Sequence, residues 1–314
     1  MTPDIIQAFR AALLADLGHA PDTIQSDGQG HRFSTNGKRG NKDGRYRLHL
    51  DGIPAGYYEC HRQGIKRNWK ASKDQLPDWT PEQRHQHQQA LERNKRLRYA
   101  EEQRHYEQAA ERALRIWRGA IPAPEHHPYL VRKGIQPYLA RLSGTALVIP
   151  LYDTRGRLWS VQYIQPNGEK RFLAKGKKHG LFCILNAKVN DLTQKNHAYL
   201  VEGYATGCTA VELAQDQPVI VAFDAGNLEP VVKGLYERFP QLSITLIADD
   251  DREQEQQKGV NIGKSKALAV AAHYSHVTVE LPSFPPDAPL ALTDLNDLYV
   301  WRKAQEHLLQ EGAL

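Results

Sequence analysis

The sequence predicts an α/β protein: a small parallel sheet flanked by helices, preceded by a β-rich α+β subdomain, a long helix and a small β-rich N-terminal module. Three observations carry this. Four short apolar runs, Ala198-Tyr199-Leu200-Val201, Val219-Ile220-Val221-Ala222-Phe223, Ile244-Thr245-Leu246-Ile247 and Val277-Thr278-Val279-Glu280-Leu281, alternate with helical spacing over Thr206 to Ala214, Glu229 to Arg238 and Ile262 to Tyr274. Strand and helix in alternation, joined by right-handed crossovers, give a parallel sheet. Secondly, these runs end in acid, at Glu202, at Asp224 and at Asp249-Asp250-Asp251, which is how a parallel sheet delivers carboxylates to one edge. Thirdly, the chain before Ala198 changes texture twice, from glycine-rich, aromatic and basic to a long polar helix and then to evenly spaced strands.

With 314 residues the chain has room for two or three domains. Hydrophobic residues make up 40% and the mean hydropathy is −0.61. No run approaches the ~20 apolar residues of a membrane helix, and a signal-peptide pattern is absent, so a cytoplasmic protein without membrane contact is expected. The formal charge of +5 and a sequence pI near 8.9 are compatible with a polyanionic partner, although a mild basic excess is common in proteins that bind none. Cys60, Cys183 and Cys208 are far apart, so neither a disulfide framework nor a zinc ribbon is indicated, and no zinc is expected.

Along the chain, Ile5, Ile6, Phe9, Leu13, Leu14 and Leu17 have helical spacing that ends at Gly18. Between Ser26 and Lys70, Lys38, Arg39, Arg45, Arg67 and Trp69 belong to a stretch of cations interleaved with aromatics, with a hairpin turn expected at Asp51-Gly52. Such interleaving suits a single-stranded nucleic acid, where cations track phosphates and rings stack on bases. It equally suits a small β-domain whose aromatics form its core. The pair Cys60-His61 has no partner pair at ligand spacing.

Thr80-Pro81-Glu82-Gln83 opens a helix by three criteria: a threonine N-cap, proline at the first helical position and glutamine at the capping-box position. It can run to about Arg118, roughly 55 Å at 1.5 Å per residue. Its first half, Glu82 to His105, is polar nearly all round and predicts a solvent-crossing strut. Tyr106, Ala109, Ala113, Ile116 and Trp117 make an apolar stripe that should pack on the body. After Pro122 and Pro124, strands over Ala146 to Tyr152, Leu158 to Ile164 and Lys170 to Leu173, separated by turns at Gly156 and Gly168, predict an antiparallel meander. Boundaries are expected at residues 1–78, 79–118, 119–190 and 191–314.

Carboxylates on one open sheet edge suit phosphate chemistry assisted by Mg2+ or Mn2+, since hard cations take oxygen ligands and retain waters. Asp249 and Asp251 are two apart, which in extended backbone points both side chains the same way, while Asp250 points away. Taken singly, a strand-end acid is as well a helix cap or a surface ion pair, and Asp224 could cap the following helix. Gly259-Val260-Asn261-Ile262-Gly263-Lys264-Ser265 imitates a phosphate-binding Walker loop, but it has three residues between its glycines where that motif needs four, and no strand precedes it.

A strand ending in Glu202-Gly203, a later strand ending in Asp249-x-Asp251 and a following Asn261-x-Gly263 resemble the TOPRIM domain of bacterial-type primases, topoisomerases and certain nucleases. Phe223-Asp224-Ala225-Gly226-Asn227-Leu228 and Thr293-Asp294-Leu295-Asn296-Asp297-Leu298 are similar, more specifically, to DNA primases of plasmids and phages. The resemblance covers roughly the last two thirds of the chain. It implies a nucleotidyltransferase, a DNA-directed RNA polymerase that makes short RNA primers in DNA replication. Glu202, Asp249 and Asp251 would be catalytic and metal-binding, with Asp294, Asp297 and Asp224 as further ligands. Lys170, Arg171, Lys175 and Lys177, just before the TOPRIM run, would face nucleotide or template phosphates, and Asn227, Asn261, Gly263 and Lys264 nucleotide or nucleic acid. Implied partners are single-stranded DNA template, ribonucleoside triphosphates and a separate helicase, with the chain a monomer. A TOPRIM nuclease and a non-catalytic single-strand-binding accessory protein are the alternatives.

Overall fold

A computed structural model of the protein describes residues 2–38, 40–50, 53–60, 62–72 and 80–311. Arg39, the Asp51-Gly52 turn and His61 lie outside the described residues. The chain divides into two compact units, Met1–Glu101 and Glu102–Leu314.

The first unit is one helix on one face of a four-stranded antiparallel sheet. Helix α1 (Thr2–Leu17) precedes β1 (His31–Phe33), β2 (Gly44–His49), β3 (Ala55–Cys60) and β4 (Ile65–Lys70), which pair in sequence order. Phe9, Leu13 and Leu17 sit one helical turn apart and are buried against Phe33, Tyr46, Leu48, Tyr58 and Cys60. Along β2 the alternation is strict: Gly44, Tyr46 and Leu48 are buried, whereas Arg45, Arg47 and His49 point to the opposite face. Gly56 is required by close approach, since a Cβ there would lie 2.2 Å from the Arg47 carbonyl and 3.2 Å from the Phe9 ring.

Helix α2 (Pro81–Gly119) begins at the proline expected to start it. From Glu92 to Glu102 every side chain is exposed, Leu97 and Tyr99 included. Further along, Ala109, Ala110 and Ala113 are buried, and Ile116 and Trp117 pack with Val148 and Val161.

The second unit continues with β5 (Ile121–Pro122), α3 (Pro128–Lys133), β6 (Arg141–Ser143), β7 (Ala146–Tyr152), β8 (Leu158–Ile164) and β9 (Lys170–Phe172), an antiparallel sheet in sequence order. Its two expected turns pass through Gly156 and Gly168, both at positive φ (78° and 92°), a conformation glycine adopts without cost. Then follow β10 (Cys183–Ile184), β11 (His197–Val201), α4 (Tyr204–Leu213), β12 (Val219–Val221), α5 (Leu228–Arg238), β13 (Ser243–Ile247), α6 (Arg252–Lys258), α7 (Ile262–His273), β14 (Val277–Glu280) and α8 (Leu295–Glu311). They build a mixed sheet ordered β10-β12-β11-β13-β14, in which β12, β11, β13 and β14 are parallel and β10 runs antiparallel at the edge.

Both faces of this sheet are covered, which is why its strands read as continuous apolar runs. Leu200, Ile220, Ile244 and Leu246 face α5 and α7, packing with Val231, Val232, Leu235, Ala267 and Val270. Val201, Val219, Val221 and Ile247 share the other core with Tyr204, Cys208 and the meander residues Leu147, Ile149, Leu151 and Ile164. Strand β12 stops at Val221, short of the expected Phe223, because Phe223 turns into the left-handed region (φ 74°) and leaves the ladder. No helix among the described residues is long and apolar enough to cross a membrane.

Candidate active site

The chain passes from β11 outward to β12 on one side and then to β13 on the other, so the strand order reverses between β11 and β13. Ligands of open α/β sheets bind in the crevice outside the strand carboxyl ends at such a reversal. Val201 pairs with Ile247 at the end of these two strands. Glu202 follows Val201 directly and Asp249 follows Ile247 after Ala248, so the sheet itself brings the two acids to the crevice.

Their ionisation reports how close the acids are. The Asp249 carboxyl is pushed up to about 8, first by burial and then by the negative charges of Glu202, Asp294 and Asp251, with Lys170 opposing. Glu202 is raised as well, chiefly by burial, with Asp224 and Asp251 adding to the rise, while a hydrogen bond from the Ala225 N–H and the charge of Lys170 oppose it. Asp249 Oδ1 is buried with no hydrogen-bond partner. A buried, unpartnered carboxylate oxygen among like charges is costly, and a cation relieves that cost.

The loop after β13 is held by one amide. Asn261, buried, donates from Nδ2 to Asp250 Oδ1 (2.7 Å) and to Glu255 Oε2 (3.0 Å), and its Oδ1 accepts the N–H groups of Asp251 (3.3 Å) and Lys264 (3.2 Å). The Gly263 N–H donates to Asp251 Oδ2 at 3.1 Å. A Cβ on Gly263 would lie 2.5 Å from the Asp249 carbonyl, so this glycine lets α7 begin hard against the acid loop. Asn261 and Gly263 thus position Asp249 and Asp251, and Lys264 reaches Glu255 (3.8 Å); none of the three is seen turned outward to a nucleotide. Asp250 points to Asn261.

The 293–297 segment comes to the same edge through the Asp250 N–H, which donates to the Thr293 carbonyl at 2.7 Å. Asp294 lies near enough for its charge to raise the Asp249 carboxyl, and its Oδ1 accepts the Asp297 N–H at 2.8 Å. Asp297 pairs with Lys133 Nζ (3.0 Å) and accepts the Thr293 N–H (3.2 Å). Asp224 caps the short 3-10 turn Ala225–Asn227 through the Gly226 N–H (3.0 Å) and pairs with Lys178 Nζ at 2.5 Å. Asn227 corrects an expectation: it is buried, its Nδ2 donates to the Leu181 and Ala222 carbonyls and its Oδ1 accepts the Gly180 N–H, leaving no group for a nucleotide.

Of the basic residues before β10, Lys170 points to the acids. Its ammonium is held below the usual lysine range, mainly by burial and by neighbouring Lys133, while Asp294, Asp249 and Glu202 counteract this. Lys170 keeps exposed surface. Arg171 turns back to Glu169 (2.7 Å) and Lys177 lies over the Trp159 ring at 4.9 Å. Lys175 sits at φ 60° in the loop whose Gly176 abuts Ser160. Sequence reading did not single out Lys133 for the site; its only local signal is the Gly134 cap, which ends α3 directly after it.

In the first unit, Arg67 is exposed and 3.8 Å from Asp16. Trp69 corrects a second expectation, because its ring packs edge-on against Phe9 (5.2 Å) in the core instead of standing free for a base. Lys38 is exposed, and Arg45 approaches Glu59 at 4.0 Å.

Among the described residues, no three His, Cys, Asp or Glu side chains are gathered tightly enough to grip an ion by themselves. The donor set nevertheless fits a hard divalent cation that retains several waters, because it is all carboxylate, faces solvent on one side and includes an unpartnered buried oxygen.

An acid-lined crevice at the strand reversal of a parallel sheet suits phosphate chemistry, and relatives to which this chain is similar are DNA primases. It is 36% identical over 249 residues to a DNA primase TraC of Escherichia coli, covering 78% of this chain and 23% of the relative. With a second DNA primase TraC of Escherichia coli it shares 34% over 305 residues, 95% of this chain and 20% of the relative. The chain therefore spans about a fifth of the length of these curated relatives. No family model matches it. Similar solved structures are the primase fragment of the bacteriophage T7 primase-helicase protein (14% identity, 81% of this chain, 90% of that one, TM-score 0.40) and the Aquifex aeolicus primase zinc-binding and RNA polymerase domains (14%, 98%, 84%, TM-score 0.43).

Proposed function

We propose that the chain is the primer-synthesising portion of a DNA primase, with a TOPRIM-type catalytic part that joins ribonucleotides on single-stranded DNA and releases pyrophosphate. What supports the proposal is that Glu202 and Asp249 stand just beyond paired strand ends at the strand reversal, with the Asp249 carboxyl raised to about 8 by burial and by the charges of Glu202, Asp294 and Asp251. Similarity to DNA primases supports the same reading.

Asp249, Asp251 and Asp294 would hold the divalent ions, Mg2+ or Mn2+, with Glu202 either joining them or taking the proton of the attacking 3′-hydroxyl. When bound, such ions make that hydroxyl more acidic and neutralise the departing pyrophosphate. Lys170, whose ammonium feels the charges of Asp294, Asp249 and Glu202, would meet phosphate charge in this reading. Lys178 is held at the rim by Asp224 and lies 5.5 Å from the centre of the Phe172 ring. A triphosphate arriving there competes with Asp224 for the same ammonium. Template and ribonucleotides are the substrates of this reading, and a separate helicase is its candidate partner.

Incubation with M13 single strands, Mg2+ and labelled ribonucleotides tests it. New oligoribonucleotides are expected, and they should disappear in Asp249→Ala and Asp251→Ala proteins that keep their near-UV circular dichroism. Degraded template would indicate a nuclease, and a mobility shift alone an accessory binding protein.

A further inference from the structure

We infer that the sheet face of the first unit turned away from α1, centred on Tyr57, is a binding surface for single-stranded DNA; this rests on the primase reading for the identity of the polyanion. Strand register sets out the face. Arg32, Arg45, Glu59 and Lys66 lie side by side in one cross-strand row, Arg47, Tyr57 and Asn68 in the next, and His49, Ala55 and Lys70 in the third. The unit's hydrophobic cluster lies on the α1 side, through Tyr46, Leu48, Tyr58 and Cys60. Arg32, Lys66, Asn68 and Lys70 are exposed, and Arg47 and Tyr57 are half-buried.

The charge on this face is one-sided. Among the described residues, five fixed cations, Arg32, Arg45, Arg47, Lys66 and Lys70, share it with one carboxylate of the four strands, Glu59, and with Asp27, which is bridged to His49 at its edge and bonded to His31. Arg32 stands directly opposite Arg45, and like charges in such a pair destabilise a sheet. The fold does not need these cations for its core, so a polyanion that offsets their repulsion accounts for them better than packing does. Neighbouring strands are about 4.8 Å apart and same-face residues along a strand about 6.7 Å apart, so the cations form a grid on the scale of a nucleic-acid backbone.

Tyr57 decides between single strand and duplex. It sits in the middle row between Arg47 and Asn68, with the Arg45 guanidinium 6.0 Å from its ring centre. An aromatic ring ringed by cations offers an unpaired base a stacking partner and its phosphates a counter-charge. A duplex buries its base faces and leaves such a ring unused. The surface also differs from the one that sequence spacing suggests, because Arg67 and Trp69 project to the α1 side of β4 whereas Lys66, Asn68 and Lys70 do not.

The experiment measures binding of a labelled oligo-dT, and of a duplex of equal length, to the full chain across a salt series. Lys66→Gln with Lys70→Gln should lower the slope of log K against log salt by about 1.4, or 0.7 for each phosphate that no longer meets a cation. Tyr57→Leu should weaken oligo-dT binding on the order of tenfold with an unchanged slope, and Tyr57→Phe should restore it. Arg67→Gln serves as the control from the other face and should change neither quantity. The inference is overturned if the double lysine variant keeps the wild-type slope, if Tyr57→Leu binds as tightly as Tyr57→Phe, or if the duplex loses as much as the single strand in the Tyr57→Leu protein. Primer synthesis is assayed in parallel. Primers made by a protein whose binding ignores these substitutions sink the surface alone, and face-dependent binding without primers sinks the primase reading alone.

Discussion

Asp249 bears a conflict that a proton or a partner ion resolves, and the conflict has a pH signature. Its carboxyl is raised to about 8 in the folded chain from an ordinary 3.8. Between these values the native state holds a proton that the unfolded state has released, so stability contributed by this group falls as pH rises from about 4 to about 8. Asparagine mimics the protonated carboxyl. In EDTA, Asp249→Asn should therefore melt close to the wild type at pH 5 and above it at pH 8, by an amount on the order of 1–3 kcal/mol. Adding Mn2+ at pH 8 should stabilise the wild type and not the variant. A variant that tracks the wild type at both pH values would mean Asp249 is not crowded by its neighbours. Glu202, Asp249 and Asp251 were legible because they end apolar runs, and strand ends are where a parallel sheet concentrates acids. The duties of Asn227 and Asn261 were not legible. Both are amides directly before a helix, and only the fold reveals that their hydrogen bonds are directed inward.

At the scale of elements, α2 is two different helices in one. Its start could be read from Thr80-Pro81 and its end from Pro122 and Pro124, since these are backbone signals that act locally. Side chains from Glu92 to Glu102 are exposed, whereas Ala109 and Ala113 are fully buried. Replacing Arg96-Leu97 by Gly-Gly should cost about 2 kcal/mol of local helix stability. Because those side chains pack on little, the melting temperature of the whole chain should barely move, while primer synthesis should fall more than template binding does. A large drop in melting temperature would instead place this stretch in a packed interface. The shortest strands escape sequence reading for the opposite reason. β1 has three residues and β10 two, too few to show a period, and they exist because a longer neighbour offers them a free edge. Strand order is likewise absent from periodicity, although it is what sets Glu202 beside Asp249.

For the molecule as a whole, a formal charge of +5 hides a division of labour by charge. The acids that would hold metal belong to the second unit, and the one-sided basic sheet face belongs to the first. Each unit has its own hydrophobic clusters, Phe9 to Cys60 in one and the two faces of the mixed sheet in the other, so the two properties should separate on truncation. A protein beginning at Thr80 should keep the full rise in melting temperature on adding Mn2+, because no residue of the acid edge is touched. Its affinity for single-stranded DNA should fall, and the slope of log K against log salt should flatten by about 0.7 for every phosphate that the first unit had neutralised. Primer synthesis by this protein should then recover as template concentration rises, since what it has lost is template capture and not the acid edge. An unchanged salt slope would show that template charge is met by the second unit, through residues such as Lys170 and Lys178, and would leave the basic sheet face without a nucleic-acid role.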